Sequence, residues 1–178
     1  MRVQEGGGRE RDVHNGIVDV SEADFMENKI AISKSTAADI DRLMEIRLEM
    51  LRVVNGLEAD YEFSDELKTE SRGYFLSGDQ TTLLATDGEK TIGCASINYI
   101  TIMPTFSHPT GKRAFLMSVY TQKEYRRMGI ARRMVGQLVG EARAKGCSEI
   151  ILDATEEGRP LYKSLGFKES GETMCLQL

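Results

Sequence analysis

The chain has 178 residues, 40% of them hydrophobic and 29% charged, with a net charge of −5. A chain of this length suits one domain that buries roughly 70% of its unfolded surface. The acidic balance argues against a general nucleic-acid binder, and no apolar run approaches the ~20 residues of a helical membrane span, so neither a nucleic-acid nor a membrane partner is expected.

Residues 1–28 carry a glycine triplet, mixed charge and little periodic apolar content, which predicts a flexible extension rather than a signal peptide. A short strand is expected at 29–33. Thr36, with Asp39 three residues on, then forms a capping-box pattern ahead of Ile40, Leu43, Met44, Leu48 and Leu51, which recur at helical spacing until Asn55-Gly56. The aromatic and Met residues of these first helices read as core. A weaker helical stretch runs over 64–76. Three strands follow, "TTLLATD", "TIGCASINYIT" and "AFLMSVYT", the first two joined by a turn at Asp87-Gly88. Two prolines and a glycine make 103–113 a loop.

After Tyr120 comes "YRRMGIARRM", residues 125–134, with four arginines around Gly129-Ile130-Ala131. From Lys123 to Arg133 five cations meet one anion, Glu124. A helix is expected over 130–145, with Met134, Leu138, Val139 and Ala142 inward and Gly146 as its stop. "EIILDA" reads as a strand buried on both faces. Pro160 suits the first turn of a short helix through Leu165, and "ETMCLQL" supplies a last strand. The order predicts a single-domain α/β fold with a mixed sheet.

The arginine-glycine segment thus joins a strand end to a helix start. There the first-turn N–H groups are unpaired and the helix dipole is positive, so a phosphate fits. Gly129 and Ala131 leave the main chain open to approaching oxygens, and Arg126, Arg127 and Arg132 add charge. The segment reads as a pyrophosphate cradle. Neither a Walker loop nor a G-x-G-x-x-G fingerprint is present.

Arg126-x-x-Gly129-x-Ala131 does resemble the acyl-CoA signature of the GNAT superfamily of N-acetyltransferases. The strand before it, the helix and "EIILDA" after it, and "RPLYKSLGF" (Arg159 to Phe167), similar to the family's closing LYxxLGF element, extend the resemblance over about 29–178. The resemblance implies a mixed, mostly antiparallel central sheet flanked by helices, and acetyl-CoA as cosubstrate held by Arg126, Arg127, Met128, Gly129, Ile130, Ala131 and Arg132. It implies that the Val119 N–H polarises the thioester and that Tyr162 protonates the leaving thiolate. Where many members carry an asparagine after the fifth strand, this chain has Thr155 and Glu156.

The implied reaction is acetyl transfer to the primary amine of a small molecule or peptide. The alternative is a non-catalytic acyl-CoA-binding sensor. Glu124, Asp153 and His108 are candidate bases beside a water relay, and loop 103–113 is placed as a wall of the acceptor pocket. Two histidines, His14 and His108, argue against a His-rich zinc site, so no metal is expected. Cys94, Cys147 and Cys175, an odd count without ligand spacing, suit reduced thiols in the cytoplasm. Homodimers are common in the family, but no residue here specifies an interface.

Overall fold

The computed structural model describes residues 29–78, 80–171 and 176. The expected extension at 1–28, Cys175 and nearly all of the expected last strand lie outside the described residues. Strand β1 (Ile30–Lys34) leads into the Thr36 cap, where the Asp39 carboxylate accepts from the Thr36 N–H at 2.9 Å and its hydroxyl at 3.0 Å. Helix α1 (Ile40–Val54) follows. Ile46 and Met50, absent from the expected apolar stripe, are among its most buried residues, whereas Leu48 is only half-buried. The expected weaker helix is α2 (Asp65–Ser77), capped by Ser64, whose Oγ accepts from the Leu67 N–H at 3.2 Å.

Strands β2 (Gln80–Asp87), β3 (Lys90–Thr101) and β4 (Lys112–Thr121) form an antiparallel meander. Gly88, at φ 58°, takes the first position of the two-residue turn between Asp87 and Lys90, a conformation that favours glycine. After β4 come a single 3₁₀ turn (Lys123–Tyr125), helix α3 (Ile130–Ala144), strand β5 (Glu149–Ile151) and helix α4 (Arg159–Ser164). The sheet order is β1-β2-β3-β4-β5, and only β4–β5 is parallel.

"EIILDA" was expected as a six-residue strand buried on both faces. Instead β5 pairs for three residues, all half-buried, since it is the last strand in the order of the described sheet and has a partner on one side only among the described residues. Helices cover both sheet faces. α3 packs Ile130, Met134, Val135, Leu138 and Ala142 against Leu83, Ile97 and Leu116, while Leu43, Ile46 and Met50 of α1 meet Leu84, Cys94 and Tyr120 on the other face. Full burial of a side chain such as Leu138 is worth about 1.5–3 kcal/mol, so α1 and α3, with five buried residues each, are both firmly held.

Glu141 ties α3 to the first two strands. Its carboxylate meets Lys34 at 2.7 Å and accepts from the Thr81 hydroxyl at 2.6 Å. Burial pulls its pKa up, but the Lys34 ammonium and the Thr81 hydroxyl outweigh that and hold it below the usual range. A depressed carboxyl contributes stability above its unfolded pKa of about 4.3, lost as the pH falls through the lower folded value. Glu141→Ala should therefore cost about 1–2 kcal/mol at neutral pH and progressively less in acid. Urea unfolding of both proteins across that range measures the difference, and a pH-independent deficit would rule out the ionised carboxylate as its source.

Candidate functional site

The loop before α3 is shaped by two left-handed residues. Arg127 sits at φ 67° and Gly129, the N-cap of α3, at φ 74°. This bends successive main-chain N–H groups toward one side, an arrangement that binds anions, and it ends at the positive end of a fifteen-residue helix. The first ladder bond of α3 runs from the Arg133 N–H to the Gly129 carbonyl at 2.9 Å, leaving the N–H groups of the preceding turn for a ligand. Met128 and Ile130 point their side chains into the core, so the main chain forms the exposed lip.

The arginine side chains contribute less than expected. Arg126 donates through Nε to the Thr121 carbonyl at 3.2 Å and approaches Glu157 at 3.6 Å. Arg132 donates to Ser164 Oγ at 2.8 Å, and Arg133 to the Ile30 carbonyl at 3.3 Å. These contacts tie the segment to β1, β4 and α4. The cradle is chiefly main chain, which suits a pyrophosphate approaching the helix end.

A second feature lies in β4, where the sequence shows no signal beyond a serine in an apolar run. Cys94 pairs with Tyr120 but Ser96 pairs with Met117, so Ala95 opposes both Ser118 and Val119. This is a β-bulge, with Ser118 at φ 54°. Arg47 of α1 donates to Ser118 Oγ at 3.0 Å, and the Cys94 thiol donates to the Ser118 carbonyl at 3.2 Å. Pairing of β4 with β5 stops at Phe115 and Ile151, so β4 runs on through the bulge with that edge unpaired among the described residues. Val119 sits there, packed toward the α3 core.

Tyr162 of α4 packs on the same core and meets Phe167 edge-on, centroids 5.8 Å apart. Burial alone raises its phenol pKa, so it stays protonated through neutral pH. Thr155 takes over the start of α4, its hydroxyl accepting from the Gly158 N–H at 3.2 Å. Val119, the cradle and Tyr162 thus share the α3 side of the sheet.

On the other side of the bulge lies a recess of about 310 Å³ that sequence reasoning missed. Arg47, Glu70, Tyr74, Phe75, Asn98 and Met117 line it beside Ser118. Tyr74, expected as core, is a wall residue here, and Phe75 both packs on the α1-side core, as expected, and lines the wall. Burial lowers the pKa of Arg47, and among the described residues no carboxylate forms a salt bridge with it.

Loop 103–113 is not part of this wall. Its His108 Nδ1 hydrogen-bonds Ser148 Oγ at 2.9 Å, whose hydroxyl lies 3.0 Å from the Lys112 carbonyl it donates to. That anchor is at the start of β4, seven residues of strand or roughly 20 Å from Val119, so His108 fastens the loop rather than serving as the base. Gly111 is required in it, because at φ 66° an added Cβ would strike the Ile102 carbonyl. Glu124 and Asp153 are exposed and line no wall of the recess. No group of three potential metal ligands occurs among the described residues, and none of their helices is long and apolar enough to cross a membrane.

Comparison with known proteins agrees with this geometry. The family model described as the acetyltransferase (GNAT) family matches residues 40–167. A glucosamine 6-phosphate N-acetyltransferase of Trypanosoma brucei brucei is 31% identical over 87 residues, 49% of this chain and 57% of that protein, so the match spans little more than half of that relative. A thialysine N-epsilon-acetyltransferase of Bos taurus is 28% identical over 136 residues, 69% of this chain and 79% of that protein. Among solved structures, a predicted acetyltransferase with acetyl-CoA from Clostridium acetobutylicum is similar at a TM-score of 0.73 and 29% identity, over 83% of this chain and 96% of that one.

Proposed function

Because the chain belongs to the acetyltransferase (GNAT) family, we propose that it transfers an acetyl group from acetyl-CoA to a primary amine. The observation that carries this reading is the β4 bulge, set where β4 and β5 part, with the recess beside Ser118. Acetyl-CoA supplies the activated acyl group as a thioester. The main-chain N–H groups between Arg127 and Arg132 hold its pyrophosphate, and the glycine lip fits that role because no side chain covers it.

The unpaired edge of β4 aligns the pantetheine arm, and the Val119 N–H polarises the acetyl oxygen. The neutral amine forms a C–N bond to the acetyl carbon as the C–S bond breaks. The Tyr162 hydroxyl gives its proton to the departing thiolate, and the proton lost by the amine passes to water and restores the phenol. The free thiols among the described residues, buried Cys94 and half-buried Cys147, suit a reducing cytoplasmic compartment.

Calorimetric titration with acetyl-CoA, followed by an acceptor panel scored by free CoA release, tests the reading. Binding without release for any amine would leave a non-catalytic acyl-CoA sensor in its place.

A further inference from the structure

Arg47 is the charged group held closest to the bulge. Its Nη1 lies 3.0 Å from Ser118 Oγ, and Ser118 adjoins Val119. Several other arginines answer carboxylates, Arg42 with Asp39, Arg72 with Asp41, Arg113 with Glu149 and Arg159 with Glu169, while Arg132 and Arg133 meet a hydroxyl and a carbonyl away from the recess. Arg47, on the recess wall, meets a hydroxyl and no carboxylate among the described residues, although burial already disfavours its charge. A half-buried guanidinium with spare donors on a recess wall is a site for an anion, and its planar fork matches a carboxylate.

We propose that the acceptor is a free α-amino acid with an apolar or aromatic side chain, acetylated on its α-nitrogen, with Arg47 gripping the α-carboxylate. This rests on the acetyl-transfer reading above. The reacting nitrogen has to reach the acetyl carbon beside Val119, and an anion on Arg47 sits next to that point. An acceptor whose anion lies one carbon from its amine satisfies both. A polyamine has no anion, and in a lysine side chain or a phosphorylated amino sugar it stands several bonds from the amine.

The rest of the recess agrees. Tyr74, Phe75 and Met117 offer apolar surface to a side chain, and Glu70 at the mouth repels a second carboxylate. Its volume, about 310 Å³, is at the small end of the ~300–1,000 Å³ range of ligand clefts. The step balances as before: the α-nitrogen gains the acetyl group and loses a proton, and CoA leaves as the thiol.

The test compares acceptors of one skeleton on the full chain at saturating acetyl-CoA. Phenylalanine, phenylalaninamide and 2-phenylethylamine are followed by thiol release, with lysine, glutamate, spermidine and glucosamine 6-phosphate alongside. Phenylalanine should show a kcat/KM about 100-fold or more above its amide and amine, since a site built to pair a charged group rejects analogues lacking it. Lysine should be modified on its α-nitrogen, as read by mass spectrometry.

Arg47→Gln should lower phenylalanine turnover about 100-fold and the amide far less, collapsing the preference, while acetyl-CoA affinity reports that the variant is folded. Equal turnover of acid and amide, or release only with acceptors lacking an α-carboxylate, would overturn the proposal and leave acetyl transfer standing. No release with any amine would remove both.

Discussion

Gly129→Val should weaken acetyl-CoA binding by roughly 10²–10⁴-fold, the loss of two or so charge-assisted hydrogen bonds worth about 1.5–3 kcal/mol each. Two effects act together. Gly129 sits at φ 74°, where a β-branched residue is strongly disfavoured, so the N-cap would shift and re-aim the neighbouring N–H groups. The new side chain would also stand on the exposed lip where phosphate oxygens approach. Since position 129 is at the surface, melting temperature should fall only modestly. Calorimetry at one temperature measures the affinity, and unchanged binding by a folded variant would remove the main-chain cradle. Arg126→Ala, whose side chain already answers Thr121 and Glu157, should have a smaller effect.

Tyr162→Phe should lower kcat by about 10²–10⁴-fold, toward the lower end if water replaces the hydroxyl. The ring keeps its packing on Phe167 and the α3 core, so donor affinity should hardly change. Burial keeps the phenol protonated well above neutral pH, so the wild-type rate should show no fall from its ionisation in that range. A lower kcat with constant donor binding is the signature of an interaction made mainly in the transition state. Equal losses of rate and binding would assign Tyr162 a packing role. Unchanged turnover, with chemistry limiting, would reject it as the acid.

The parts legible in the sequence were those encoded locally. Of the residues expected inward on α3, Met134, Leu138 and Ala142 are buried, while Val139 is half-buried and Val135, not expected, is buried instead; the glycine between arginines does stand at a strand-helix junction. The bulge was not legible. Ser118 fits ordinary strand alternation, and its left-handed backbone is held by Arg47 and Cys94, 71 and 24 residues away. The recess was hidden for a related reason. Arg47, Glu70 and Tyr74 each read as one residue of an amphipathic helix, and only the packing of α1 and α2 beside the bulge turns them inward together. His108 shows the converse error, since its Ser148 partner lies 40 residues on and nothing near it in sequence announces an anchor.

The Cys94 thiol beside the bulge has a kinetic consequence. It lies within reach of the reacting edge, as an acyl-carrying nucleophile would, yet burial pushes its pKa up to about 12 and its hydrogen goes to the Ser118 carbonyl. Negligible thiolate exists at neutral pH, so Cys94 does not store the acetyl moiety between two half-reactions. On the proposed reading, donor and acceptor approach from opposite faces of one sheet and react while both are bound. Double-reciprocal plots should therefore intersect rather than run parallel, and isotope exchange between acetyl-CoA and free CoA should require the acceptor.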